Sequence, residues 1–352
     1  MKGDFPLFDD VGSFPLPEYI QIDKFNQFYW HAYNGIVNKM NIHENRGIYN
    51  YFIHPIIQSF QLKLNAGVEV INYPQHMDMH EQFQKPIEEH EIKPNLIDEK
   101  WAVIPEIIVL DNFLKNFSEK FGKAPELKIC ATGPIELYIK KFGFTIYKDM
   151  AMNYAKSINR FLKNSFKLIK NSTISVVSLD EPSFGYVDIY NLDDDDIIDI
   201  LDKSVEGIDS TVQIHLHTLN KYKLILNSKN INVLTCEFAS NKNNIIPKKD
   251  LESHDKFIRV GIARTNINSI IAEKIDLGEN IQNLNTFEGN MSLIDSKDEI
   301  KRNLLLALEH YDDRLLFIGP DCGLKGWKPP QVAQELLNRI YSVIKEVKKN
   351  YT

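Results

Sequence analysis

Five residues stand just past apolar runs, where parallel α/β proteins build their active sites. Ser13 follows Val11-Gly12, Asp180 ends the run 174–179, His217 and Glu237 end two later runs, and Cys322 follows the last run across Gly319-Pro320-Asp321. A thiol at such a tip can be a metal ligand, a nucleophile or filler. Period-two alternation puts His215 and His217 on one face of their strand, with His215 deeper. Two buried imidazoles need hydrogen-bond partners, so the pair is unusual in a bare core. One His, one Glu and one Cys form a zinc set that leaves a position open for substrate, as catalytic zinc requires. Asp180 and Glu181 are neighbours and point in different directions, so they are not a proton-sharing pair. One of the two faces the mouth of the sheet.

Eight apolar, β-rich runs must position these tips. The first closes at the turn Gly12-Ser13-Phe14-Pro15. The others are expected at 68–73, 127–132, 174–179, 211–217, 232–237, 257–263 and 315–319. Helical spacing lies between most of them, at about 24–40, 55–65, 107–121, 149–170, 194–204, 222–226, 269–282, 297–311 and 330–348. Strand–helix alternation implies a parallel sheet, and eight units over 352 residues imply a closed (β/α)8 TIM barrel, one catalytic domain over 1–352. The polar stretch after His80 reads as an inserted hairpin or lid around 80–105. His76 and His80 are expected as loop-surface residues, and Cys130 as a core thiol inside the third strand. The run Asp193 to Asp196 should cap the helix that follows it.

Composition narrows the partners. The chain is 43% hydrophobic and 25% charged with net charge −7, and no basic stripe stands out, so nucleic acid is a poor fit. Three cysteines imply no disulfide framework and suit a reducing cytoplasm. No secretory h-region follows Met1, and no apolar run approaches the ~18 residues of a membrane span. A soluble, cytoplasmic protein is expected. Neither common Gly-rich phosphate loop is present, which argues against a dinucleotide or nucleoside-triphosphate enzyme.

The pieces Val11-Gly12-Ser13-Phe14-Pro15, Gly133-Pro134, Asp180-Glu181-Pro182, Ile214-His215-Leu216-His217, Thr235-Cys236-Glu237 and Pro320-Asp321-Cys322-Gly323-Leu324-Lys325 occur together in one order. In this the sequence resembles the catalytic barrel of cobalamin-independent methionine synthases, in the short single-barrel form typical of archaea. The resemblance implies zinc-dependent methyl transfer to a thiol, with homocysteine as acceptor and a methyl-corrinoid protein or a methyl-folate (pterin) as donor. It places zinc on His217, Glu237 and Cys322, and the homocysteine contacts on Ser13 and Asp180, with Asp180 and His217 as the catalytic pair. Asp180 would pair with the amino group of the acceptor, and zinc would hold the acceptor sulfur as thiolate.

Three positions depart from that pattern. Leu219 stands where the family carries a second zinc cysteine, Tyr73 near a glutamate that helps hold the amine, and Asn266 where a histidine is expected. Cys236 adjoins Glu237 and faces the other way unless a bulge intervenes. Zn²⁺ with one His, one carboxylate and one thiolate is neutral, where a second thiolate would make it −1. A neutral site acidifies a bound thiol more and leaves it less nucleophilic, which suits a more reactive donor such as a methyl-corrinoid. The open alternatives are a sister zinc methyltransferase with a corrinoid donor or another thiol acceptor, and a non-catalytic barrel that binds a partner subunit.

Overall fold

The computed structural model describes residues 4–278 and 286–351. Its centre is an eight-stranded parallel barrel. The strands are β1 (Leu7–Phe8), β2 (Val70–Asn72), β3 (Glu126–Thr132), β4 (Ile174–Asp180), β5 (Thr211–His215), β6 (Val233–Cys236), β7 (Phe257–Ala263) and β8 (Leu315–Pro320). Each pairs with its neighbour in chain order, and β8 returns to pair with β1, with Leu7 opposite Phe317. The last gap closes through the parallel bridge of Asp9 to Val70 and the Glu69 N–H on the Phe8 carbonyl, 2.9 Å. The chain therefore forms the TIM barrel that strand–helix alternation implies. No helix of the described residues is long and apolar enough to cross a membrane.

Helices cover the outside because their apolar faces match the sheet. In the helix Lys148–Leu168, Ala151, Tyr154, Ala155, Ile158, Phe161, Leu162 and Ser165 are buried at helical spacing. Starts and stops follow local chemistry. The Asp193 carboxylate accepts from the Asp196 N–H and caps Asp194–Ser204, as the charge run implies. Gly122, at φ 84°, ends Pro105–Phe121 in the left-handed conformation.

Several elements differ from the sequence expectation. The first strand lies at Leu7–Phe8, earlier than the turn at Gly12, because pairing with β8 ends at Asp9 and the chain then bends into the mouth. Pro134–Phe142 is a helix, where Gly133-Pro134 reads as a turn; proline is well placed at a first helical position, where its missing N–H costs nothing. The stretch from His80 opens as the helix Met79–Glu89, capped by Asp78. Its buried face consists of Gln82, Phe83, Pro86 and Ile87, and the glutamine and proline mask the periodicity. A hairpin of Glu91–Lys93 with Leu96–Ile97 follows it. The helix expected over 269–282 runs over Ile267–Asp276, and its expected end at Gln282 lies outside the described residues.

Alternate strands build one layer of the barrel interior, as the geometry of eight-stranded barrels dictates. Asp9 beyond β1, Lys128 on β3, Gln213 on β5 and Arg259 on β7 form it, all buried. The Asp9 carboxylate accepts from Lys128 Nζ (2.8 Å), Arg259 Nε (2.6 Å) and Gln213 Nε2 (3.1 Å). Lys128 also donates to Gln213 Oε1 at 2.6 Å. Gly319 lets Arg259 and the Asp9 backbone approach β8, since a Cβ there would lie 2.2 Å from the Asp9 carbonyl oxygen. This layer is the floor on which the mouth is built.

Candidate metal centre

At the C-terminal mouth the strand tips converge. His215 closes β5, one pleat above Gln213, and its Nε2 lies 3.4 Å from Cys322 Sγ. His217 lies two residues further on, with Nε2 3.6 Å from Cys322 Sγ and 3.6 Å from a Glu237 carboxylate oxygen. One donor atom from each of His215, His217, Glu237 and Cys322 lies within 4.8 Å of every other. Among the described residues no other such group of His, Cys, Asp and Glu occurs.

The surroundings hold these side chains in place. The Asp321 carboxylate accepts from the Ala239 and Ser240 N–H groups (3.0 and 2.7 Å) and from the Ser240 hydroxyl, tying the β6 loop that carries Glu237 to the β8 tip that carries Cys322. The Cys322 N–H donates to Thr265 Oγ1 at 3.1 Å. The Asn244 side chain bridges the turn after His217, accepting from the Leu219 N–H and donating to the His217 carbonyl. Burial pushes the charged form of every donor away. The His215 ring is held far below its usual range by burial and by His217 beside it, and burial also lowers His217. Burial, with the Asp321 carboxylate, holds Glu237 up at about 8, and burial with Glu237 pushes the Cys322 thiol up.

Asp180 and Glu181 divide as adjacent strand residues must. Asp180 lies beside His215 in register and accepts from the Ser178 hydroxyl at 3.0 Å. Burial raises it to about 7, against the pull of Ser178, Lys128 and Arg259. Glu181 turns outward and accepts from the Ile135 and Glu136 N–H groups (3.0 and 2.7 Å), at the start of the helix Pro134–Phe142. Ser13 reaches the same end: its carbonyl accepts from the Leu324 N–H, and its hydroxyl lies so close to Gly323 that a Cβ there would sit 1.8 Å away.

Other residues fall elsewhere than expected. His76 is buried rather than on a loop surface; its Nδ1 bonds the Phe14 carbonyl at 2.9 Å and its ring meets Phe25 edge-on. His80 is partly buried, 2.8 Å from Glu136, and together with Asp78 that carboxylate holds its ring up at about 9. The Glu136–His80 pair at the mouth goes unseen in the sequence because its members lie 56 residues apart. Cys130 is a buried thiol within β3. Cys236 is buried too, outside the four-donor group, near Asp321 and the Tyr311 ring.

No protein-family model matches the chain. It is 25% identical over 245 residues to a protein named methionine synthase from Sulfolobus acidocaldarius, a match covering 67% of this chain and 62% of that one, so it spans less than two thirds of that relative. A protein of the same name from Methanocaldococcus jannaschii is 25% identical over 307 residues, 86% of this chain and 91% of that protein. The chain is a divergent relative of the archaeal methionine synthases. Its fold matches the structure of a B12-independent methionine synthase from a Shewanella species in complex with selenomethionine, with TM-score 0.62, 15% identity and 98% of both chains covered.

Set against the pattern that the methionine synthases imply, the three departures have structural places. Leu219 is buried among apolar side chains and offers no donor. The Tyr73 hydroxyl donates to the Cys130 carbonyl at 2.9 Å. Asn266 caps the helix Ile267–Asp276, its side chain accepting from the Ser269 N–H.

The donor chemistry fits zinc. Imidazole nitrogen, thiolate sulfur and carboxylate oxygen are its ordinary ligands, and a tetrahedral site sets neighbouring N, O and S donors about 3.3–3.6 Å apart. The three measured separations among these donors, 3.4, 3.6 and 3.6 Å, match those edges.

Proposed function

We propose that this chain is a zinc-dependent methyltransferase that moves a methyl group onto the thiol of homocysteine to make methionine, in the cytoplasm. The observation that carries the reading is the convergence of His217, Glu237 and Cys322 at the barrel mouth of a chain related to methionine synthases. Zinc held by these three would keep the acceptor sulfur in its nucleophilic thiolate form. The protein supplies the rest. Asp180 sits beside the donor cluster at the floor of the mouth, where the ammonium of an amino-acid acceptor would hold its carboxyl ionised and fix the acceptor's orientation. Ser13, pressed against Gly323, supplies a hydroxyl at the same rim.

The ligand set favours a second reading within the same chemistry. One thiolate and one carboxylate leave the site neutral, which suits a reactive methyl-corrinoid donor over a methyl-folate. Methionine formation from homocysteine, run side by side with methylcobalamin and with methyl-folate on zinc-loaded protein, tests both readings. Methionine from either donor is expected, with methylcobalamin faster; no methylation of any thiol by either donor overturns the proposal. Asp180→Asn should slow methylation of homocysteine at least about tenfold more than that of a thiol lacking the amino group, since an ammonium left unpaired in a buried site is costly. Equal losses for both thiols would remove Asp180 from the amine.

A further inference from the structure

We propose that His215 is a fourth protein ligand to the metal, so that the resting site is built from two imidazoles, one carboxylate and one thiolate. The inference deepens the reading above and rests on it for the presence of zinc. Three observations carry it.

The first is distance. His215 Nε2 is nearer to Cys322 Sγ, at 3.4 Å, than His217 Nε2 is, at 3.6 Å. A zinc ion bound to Cys322 and His217 on the side of the cluster that His215 lines has His215 Nε2 within reach, because all four donor atoms lie within 4.8 Å of one another.

The second is orientation. His215 Nδ1 lies 3.1 Å from Thr235 Oγ1 on the neighbouring strand. With Nδ1–H donating to that oxygen, the Nε2 lone pair faces the cluster, which is the arrangement that metal-bound histidines ordinarily show. Thr235 Oγ1 also accepts from the Leu216 N–H at 3.2 Å, and a hydroxyl oxygen has two lone pairs for the two donors. The ring has a supported tautomer and a fixed plane.

The third is the lack of a rival. Leu219, two residues past His217, carries no donor, and Cys236 lies outside the cluster. Among the His, Cys, Asp and Glu side chains of the described residues, the only fourth donor within 4.8 Å of the others is His215. Being neutral, it leaves the site at zero net charge. Zinc can expand to five ligands, so a fourth protein donor does not bar an acceptor sulfur.

The test uses the full chain loaded with zinc and no acceptor. X-ray absorption at the zinc edge should show two imidazoles, one sulfur and one oxygen. His215→Asn keeps a donor for Thr235 but has no counterpart of Nε2. It should bind zinc at least about tenfold more weakly by competition with a chromophoric chelator, with its circular dichroism unchanged. Thr235→Val, which frees the ring to turn, should also weaken zinc, by a smaller factor than His215→Asn does. One imidazole at the zinc edge, with unchanged affinity in His215→Asn, overturns this inference and leaves the zinc reading standing. A wild-type chain that retains no zinc overturns the zinc reading and this inference together. Should His215→Asn fail to fold, the imidazole count in the unmutated protein decides the matter.

Discussion

Two polar clusters, a lower one that is buried and an upper one that is partly open at the mouth, sit one above the other in this barrel, and they are built on opposite plans. In the lower layer, Asp9 accepts from Lys128, Arg259 and Gln213, so anion and cations meet directly. In the upper cluster, two imidazoles, a carboxylate and a thiol crowd within 4.8 Å, and among the described residues no lysine or arginine bonds to any of them. Every group there can offer a lone pair, so the protein itself supplies no cation. The lower cluster is nearly self-sufficient, with Arg259 Nη1 its one buried atom left without a partner, whereas the upper one would take its positive charge from a bound metal. Burial alone does not mark a site; the balance of donors and acceptors does.

The largest effect is expected from unbalancing the lower layer. Asp9 is the carboxylate that ion-pairs with both Lys128 and Arg259. Asp9→Asn keeps the shape but leaves two buried cations without an anion. A buried ion pair broken from one side costs about 3–5 kcal/mol, and urea unfolding should register a loss of that size. A loss below about 1 kcal/mol would mean that water reaches the layer and that the two clusters differ less than their geometry indicates.

Removing a member of the upper cluster should do the reverse. Cys322 is only partly buried, and the bond that ties it to Thr265 is made by its backbone N–H, which a side-chain change leaves in place. Cys322→Ser is expected to change stability of the metal-free protein by less than about 1 kcal/mol, while zinc affinity falls by at least about 100-fold and thiol methylation is lost. Zinc titration and denaturant unfolding on the same sample check both halves. A metal-free variant that unfolds as readily as Asp9→Asn would show that the thiol holds the fold together.

The two clusters also differ in how far the sequence discloses them. The upper one is legible because its residues end apolar runs, and a Gly-Pro or an acid after such a run marks a strand tip. His217, Glu237 and Cys322 are found that way, and the alternation of His215 with His217 places both on one face. The lower layer is hidden because each member is a single polar residue inside a strand: Lys128 between Leu127 and Ile129, Gln213 between Val212 and Ile214, Arg259 between Ile258 and Val260. One lone charge in a buried strand reads as an irregularity. Three of them on β3, β5 and β7, with Asp9 beyond β1, form the alternate-strand layer of a barrel, but that pattern is visible only once the strands are counted. The helix Pro134–Phe142 is missed for a local reason, since Gly-Pro opens it and also reads as a turn. His76 is misjudged because sequence alone does not say that the β2 loop folds back under Phe14.

The smallest effect concerns a third kind of buried group, and it sharpens the contrast. Glu106, in the first turn of the helix Pro105–Phe121, is fully buried, and its hydrogen bonds come from Gln82 Nε2 at 3.3 and 3.4 Å. Among the described residues no cation pairs with it, as Lys128 and Arg259 pair with Asp9, and it belongs to no cluster of metal ligands. Burial instead holds the carboxyl at about 8, above its ordinary 4.5. The consequence for stability has a definite sign. Between 4.5 and 8 the folded chain keeps a proton that the unfolded chain has released. The stabilisation from keeping Glu106 neutral is therefore fully present below 4.5 and is lost as pH rises through 8. Glu106→Gln is neutral at every pH and retains an oxygen for Gln82. Urea unfolding should find the variant and the parent within about 0.5 kcal/mol of each other at low pH, and the variant more stable by about 1–3 kcal/mol once the parent's carboxyl is charged. Parallel stability profiles across that range would mean that Glu106 is ionised in the fold, with a cation or water satisfying it as Lys128 and Arg259 satisfy Asp9.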